Sequence, residues 1–227
     1  MKLGLAFSGG KDSWACLLLY RDRLDDITVL WANTGKNYPE MLASVEVAKA
    51  MCPNFVEIKS DQAAQNSREG LPADVVPINW TRLGMSITGI KPTAIQSYLN
   101  CCYENIAKPI RAAAKELGIT HIISGQRSGE QFKSTSVDGD IVDGVTCIHP
   151  VEGWSEKEVL DFVGLHMELP ENFKLKHTSM DCYDCTAFRG VTKDRVAYTA
   201  KHHPELHAEH QARTSLVNTA LVSALGE

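Results

Sequence analysis

The sequence predicts an α/β protein: a doubly wound, mostly parallel sheet with helices on both faces, followed by a mainly helical C-terminal segment. Three observations carry that expectation. Short apolar, β-branched runs alternate with longer helical stretches, the order that strands and crossovers of a parallel sheet require. Three of those runs end in small polar turns, Ser8-Gly9-Gly10, Asn33-Thr34-Gly35 and Ser124-Gly125-Gln126-Arg127. In such sheets the carboxyl ends of the strands face the ligand crevice, so all three turns should converge there.

The elements follow in order. Leu3–Phe7 reads as the first strand, and Trp14–Tyr20 as the helix after a glycine turn. Ile27–Ala32 is a second strand, Tyr38-Pro39-Glu40 opens a helix through Met51, and Phe55–Ile58 is a third strand. Segment 60–100 is rich in Gly, Pro and Ser and reads as loops with short helices; within it, 66–95 has the composition of a lid. Residues 103–117 are helical in pattern, with Gly118 as C-cap. His121–Ser124 is a fourth strand, Ile148–Val151 a fifth, and Val145–Ile148 is also strand-like. Ser155 and Glu158 have capping-box spacing and start a helix after Trp154.

With 227 residues, the chain suits one generous domain at 1–190 and a helical tail at 191–227. Hydrophobic content of 44% and charged content of 22% are those of a soluble globular protein. No apolar run approaches the ~20 residues needed to span a bilayer. Lys2 is followed by too short an apolar run for a signal peptide, so a cytoplasmic location is expected. A net charge of −5 argues against a surface for non-specific nucleic-acid binding, while leaving room for a local basic cleft.

The most informative motif is Ser8-Gly9-Gly10-Lys11-Asp12-Ser13 between the first strand and helix. Glycines permit close backbone approach, and the helix N-terminus turns unpaired N–H groups and a positive dipole end into the turn. A phosphate belongs there. Lys11 adds charge, and Ser8 and Ser13 add hydroxyls. The spacing is that of neither a Walker A loop nor a dinucleotide fingerprint. It resembles the PP-loop of the adenine nucleotide alpha-hydrolase superfamily, which implies ATP pyrophosphate bound on the loop.

Seven cysteines without a secretory leader are not a disulfide framework. Cys16, Cys52 and Cys147 stand alone, Cys16 and Cys147 in apolar surroundings. Cys101-Cys102 and Cys182-x-x-Cys185 form two pairs. Four thiolates suit Zn²⁺ or a [4Fe–4S] cluster, and directly adjacent cysteines make an awkward zinc chelate.

Cys-Cys followed at long range by Cys-x-x-Cys is similar to the cluster signature of the iron–sulfur adenylylsulfate reductases, a branch of the phosphoadenylylsulfate (PAPS) reductase family. Other blocks agree in order: Asn33-Thr34-Gly35 with Pro39-Glu40, Ser124–Glu130, Ile148–Val159 and Leu169-Pro170-Glu171-Asn172. The resemblance covers roughly residues 3 to 188. It implies a [4Fe–4S] cluster on Cys101, Cys102, Cys182 and Cys185. It also implies an adenine nucleotide on Ser8, Gly9, Gly10, Lys11, Asp12, Ser13, Asn33, Thr34, Gly35 and Gly125, with Lys11, Asp12 and Arg127 as catalytic groups.

Two departures matter. The family's reductases use a cysteine in a C-terminal tail, and here no cysteine follows Cys185. The basic pair expected soon after Cys102 is replaced by Asn105 and Ile106, with Lys108 displaced. Meanwhile the glycine loop is the full ATP-type signature, as in ATP sulfurylase small subunits and tRNA-thiolation enzymes. The expectation is therefore adenylation of an acceptor by ATP with Mg²⁺, through Asp12, followed by sulfur transfer. Arg127 and Lys133 would hold the acceptor or leaving phosphates. The acceptor is a small molecule or a nucleic acid, and a sulfur donor or thioredoxin-like protein is the implied partner. Adenylylsulfate or phosphoadenylylsulfate is the alternative ligand, reduced by a thiol from elsewhere; nucleotide binding without turnover is the third reading. Homo-oligomerisation is left open. Trp80, Met85 and Tyr98 are offered as crevice residues, with the core as their commoner fate. His203, His207 and His210 share one helical face, read as a solvated amphipathic helix or subunit contact rather than a metal site.

Overall fold

The protein is described by a computed structural model covering residues 1–90, 94–130, 133–175 and 180–226. In chain order its elements are β1 (Leu3–Ala6), α1 (Lys11–Leu19), β2 (Ile27–Asn33), α2 (Pro39–Met51), β3 (Phe55–Lys59), α3 (Gln62–Glu69), β4 (Leu71–Ala73), α4 (Arg82–Thr88), β5 (Ile95–Ser97) and α5 (Tyr98–Cys102). A π-helical turn over Tyr103–Ala107 joins α5 to α6 (Lys108–Glu116). Then come β6 (His121–Ile123), β7 (Ile141–Val142), β8 (Val145–Ile148), α7 (Glu156–Gly164), α8 (Lys193–His202) and α9 (Pro204–Leu225).

Six strands form one sheet in the order β3-β2-β1-β6-β8-β7. All neighbours are parallel except the β7–β8 hairpin. From β1 the chain winds outward through β2 and β3, then returns to build β6 and β8 on the other side. The switch point therefore lies beside β1, where such sheets open a crevice at the strand ends.

Alternation along β2 explains the two layers. Val29 and Trp31 join Leu5, Trp14, Leu17, Val45, Val159 and Val163 in the core on one face. Leu30 points the other way, onto Ala114 and Ile119. Both faces are buried, which is why these strands read as continuous apolar runs. The capping box forms as expected: Ser155 N donates to Glu158 Oε2 at 2.7 Å, and Glu158 N donates to Ser155 Oγ at 3.3 Å.

Several expectations are corrected. The fifth strand is Val145–Ile148, and it stops before His149 and Pro150, because proline has no N–H for the ladder. The helix expected from 103 begins at Tyr98, so both Cys101 and Cys102 are helical. Segment 60–100 contains a separate two-stranded parallel sheet, β4–β5. Its apolar side, Ala73 and Ile95, is covered by Val217 and Ala220 of α9 and by Trp80. Among the described residues, no helix is long and apolar enough to cross a membrane.

Candidate functional site

The glycine loop lies at the end of β1, as its sequence context requires. Gly9 has φ +84°, a conformation that a side chain would strain. Its carbonyl accepts from Ser44 Oγ at 2.9 Å, and Ser44 in turn accepts from Trp14 Nε1 at 2.5 Å. A fully buried indole thus anchors the turn. Ser8 Oγ and Ser13 Oγ are 3.2 Å apart, and Ser8 Oγ accepts from Gly10 N at 3.3 Å. The first-turn N–H groups of α1 have no acceptor within the helix and face this turn.

The β6 turn braces the loop. A Cβ on Gly125 would stand 2.5 Å from the Asp12 carbonyl carbon and 2.8 Å from Ser13 N, so glycine is required by close approach. Arg127, only 8% exposed, donates from Nε to Asp12 Oδ1 at 2.6 Å. Lys11 Nζ donates to Asp12 Oδ2 at 2.9 Å and lies 3.5 Å from Glu156. Both Asp12 oxygens are therefore held by cations. Glu130, 3.8 Å from Arg127, has its carboxyl pushed up by burial and by the nearby Asp12 charge, against the pull of an Arg127 N–H and of the Arg127 and Lys11 charges. Lys133 is exposed and donates to Ser128 O at 3.1 Å.

Beside the loop, a cleft of about 140 Å³ is lined by Phe7, Ser8, Trp31, Thr34, Ile106 and Asp181, among others. Its apolar walls and few polar groups suit a flat heterocycle. Trp31, Ile106 and Asp181 were not among the predicted site residues. Trp80 packs against Ala73, Ile95, Val217 and Ala220 instead, and neither Met85 nor Tyr98 lines the cleft.

The β2 turn reaches from this cleft to the cysteines. Asn33 is tied to Glu57 at 2.7 Å, and its Oδ1 accepts from Gly35 N at 2.9 Å. Thr34 Oγ1 lies 3.5 Å from Cys182 Sγ. Cys182 Sγ also donates to Gln62 Oε1 at 3.5 Å, and Cys101 Sγ to Asn66 Oδ1 at 3.5 Å. Burial pushes the Cys101 thiol up to about 12, with the Cys185 charge adding to it. Cys102 is raised by burial and by the charges of Cys185 and Cys101, and Cys182 and Cys185 are raised chiefly by burial. One thiol of each sequence-distant pair thus bonds α3, at Gln62 and at Asn66 one turn later. Among the described residues, no three His, Cys, Asp or Glu side chains converge on a single-ion site.

The second cysteine pair is held by the C-terminal helices, whose His203, His207 and His210 face reads in sequence as solvated or as a subunit contact. Glu209 accepts from Tyr183 OH at 3.0 Å and from Lys36 Nζ at 2.8 Å. Arg213 Nε donates to Asp184 O at 3.2 Å. Cys185 O is within hydrogen-bond reach of His210 Nε2 at 3.0 Å and of Arg195 Nη2 at 3.2 Å. His203 Nε2 sits 2.6 Å from Glu40 Oε1. His203 and His210 therefore face the protein, and the C-terminal helices pack against Lys36–Glu40 and Tyr183–Cys185.

The sequence model of the phosphoadenosine phosphosulfate reductase domain matches residues 2–188. The chain belongs to that family. A crystal structure of phosphoadenylyl-sulfate (PAPS) reductase from Candida auris, a phosphate complex, resembles this PAPS reductase-family chain with a TM-score of 0.53. The two are 16% identical, with 80% of this chain and 81% of that one covered. At that identity the likeness speaks for the fold alone. No curated protein sequence matches.

Proposed function

We propose that this PAPS reductase-family protein binds ATP in the crevice at β1 and activates an acceptor by adenylation, next to an iron–sulfur site that serves sulfur transfer. The observation that carries the reading is the complete loop Ser8–Ser13, with Gly9 in a left-handed turn and the α1 N-terminus facing it. Adenine would occupy the apolar cleft between Trp31 and Ile106, and the pyrophosphate the loop amides, Ser8 and Ser13.

The chemistry asked of the chain is positioning and charge neutralisation. An acceptor oxygen attacks the α-phosphorus, a P–O bond forms, and the bond to the β-phosphate bridge breaks with release of pyrophosphate. Lys11 and Arg127 neutralise the leaving charge. Both Asp12 oxygens are engaged by Arg127 and Lys11, so Asp12 orients those cations, and its remaining lone pairs would hold Mg²⁺ bridging the phosphates.

What supports a [4Fe–4S] cluster is the chemistry of the donor set: four cysteine sulfurs, partly or wholly buried, two of them directly adjacent in sequence, which makes an awkward zinc chelate. Cys101, Cys102, Cys182 and Cys185 would hold it, and a bound cluster supplies sulfur handling or electron supply. The chain's contribution is to exclude water and fix the Cys182–Cys185 loop through Glu209, His210 and Arg213. Sulfide-level sulfur from a donor protein would attack the adenylated centre of the acceptor, a small molecule or nucleic acid, forming the bond to sulfur as the bond to the AMP oxygen breaks; where the donor carries a persulfide, a thioredoxin-like dithiol would supply the two electrons.

Family membership favours one second reading, in which adenylylsulfate or phosphoadenylylsulfate occupies the same crevice and is reduced to sulfite by an external thiol. The deciding experiment measures pyrophosphate release from ATP and sulfite release from each sulfonucleotide, for the parent chain and Lys11→Ala. Acceptor-dependent pyrophosphate, lost in the variant, supports adenylation. Sulfite without pyrophosphate supports reduction. Tight binding with neither product leaves a binding protein.

A further inference from the structure

A second cleft, of about 650 Å³, opens between α8 and α9 and lies apart from the glycine loop. Except for Thr186 and Ala187, every residue lining it falls beyond residue 188, outside the stretch that matches the family. Its volume is that of a small-molecule site. Its lining contains Arg189, Lys193 and His210 and no aspartate or glutamate.

Three features point to an anion. First, α8 begins here, and ten residues of helix aim the first-turn N–H groups of Lys193, Asp194 and Arg195 at the cleft end. Second, Thr192 at the N-cap is 6% exposed, yet its hydroxyl does not cap the helix and has no partner among the described residues. Thr192 lines the cleft, so its hydroxyl is open to donate to a ligand there. Thr214 Oγ1, across the cleft, is buried and unpartnered, and such a hydroxyl is costly unless a ligand completes it. Third, Arg189 is fixed by Nε to Thr186 O at 3.2 Å and by Nη1 to Asn218 Oδ1 at 2.5 Å, which leaves Nη2 uncommitted among the described residues. Lys193 is exposed and forms no ion pair with a described residue. The nearby Asp74 carboxylate accepts the Phe188 and Arg189 N–H groups and stands outside the lining of the cleft.

We infer that this cleft binds a phosphate monoester of a small organic molecule, its phosphate at the α8 N-terminus on Thr192, Lys193 and Arg189. The space exceeds a lone phosphate, and Val196, Ala197 and Ala200 form an apolar wall along α8 at helical spacing. That wall would take the organic part. The absence of aromatic side chains from the lining disfavours stacked nucleobases as its occupant. The inference does not depend on the nucleotide reading of the glycine loop.

The test is a titration of the full chain with inorganic phosphate and with n-butyl phosphate, followed by NMR shifts of assigned backbone amides. Saturable shifts at Lys193, Asp194 and Arg195 are expected. Their affinity should fall about tenfold in Lys193→Ala and should be unchanged in Lys11→Ala. Butyl phosphate should bind tighter by about fourfold for each methylene it buries. Thr192→Val, nearly isosteric, should also weaken binding while keeping the fold. Shifts confined to Gly9–Ser13 would overturn the site, and equal affinity for the two probes would overturn the ester as its ligand.

Discussion

Thr34 Oγ1 lies 3.5 Å from Cys182 Sγ, so the turn after β2 touches both the cleft beside the glycine loop and the second cysteine pair. Occupancy of one site should therefore be felt at the other. In metal-free protein, saturating ATP is expected to slow alkylation of Cys182 several-fold, read by mass spectrometry of the labelled peptide. Thr34→Val should abolish that dependence while leaving alkylation of Cys52 as it was. An ATP-independent rate in the parent chain would show the two sites to be uncoupled.

Gly125 is backed against Asp12 and Ser13 with no room for a methyl group. Gly125→Ala should displace the start of α1 and cost about 1–3 kcal/mol, the range for overpacking. A drop of about 2–4 °C in Tm for each kcal/mol should accompany it. Nucleotide affinity should fall with stability, whereas Gly129→Ala, which meets open space, should change neither.

Ser44 connects Trp14 Nε1 to Gly9 O. Ser44→Ala leaves a buried indole N–H unpaired, at a cost of about 1–3 kcal/mol. Trp14 fluorescence should report the change, and ATP binding should weaken because the Gly9 turn loses its tether. Ser44→Thr should restore both.

The ion pair that closes the C-terminal hairpin on the cysteine loop carries a pH signature. The hydrogen bond from Lys36 holds the Glu209 carboxyl below its usual range, with Tyr183 helping and burial opposing. A depressed acid stabilises the fold above its unfolded pKa, and that contribution disappears as pH falls through the folded value. Denaturant midpoints should thus decline as pH drops below the ordinary glutamate range of about 4.3. Glu209→Gln should flatten that limb, and an unchanged slope would remove Glu209 from the account.

The parallel sheet and the phosphate-type loop were legible because each rests on local chemistry. Leu3–Phe7 is apolar enough for a doubly covered strand, the glycines mark the turn, and Ser155 with Glu158 marks a helix start. The β4–β5 sheet was not, because strands of three residues, Leu71–Ala73 and Ile95–Ser97, complete too few periods to register. The cleft wall escaped for another reason: Trp31 and Ile106 look like core in any periodicity argument, and only the strand order puts them beside the loop. The packing of α9 was hidden because its contacts to the cysteine loop are polar. The face of His203, His207 and His210 reads in sequence as solvated or as a subunit contact, yet His210 and its neighbours Glu209 and Arg213 bind a hydroxyl and two carbonyls of Tyr183–Cys185.

The π-helical turn at Tyr103–Ala107 lies between Cys101-Cys102 and Ile110 and itself carries Ile106; both isoleucines line the cleft beside the glycine loop. One nearly continuous rod thus phases two different surfaces, and the widened turn sets the angle between them. Removing a single residue from it would rotate one surface against the other by about 100°. Insertions and deletions in this stretch should therefore be far less tolerable than substitutions, even at positions whose side chains touch nothing of consequence.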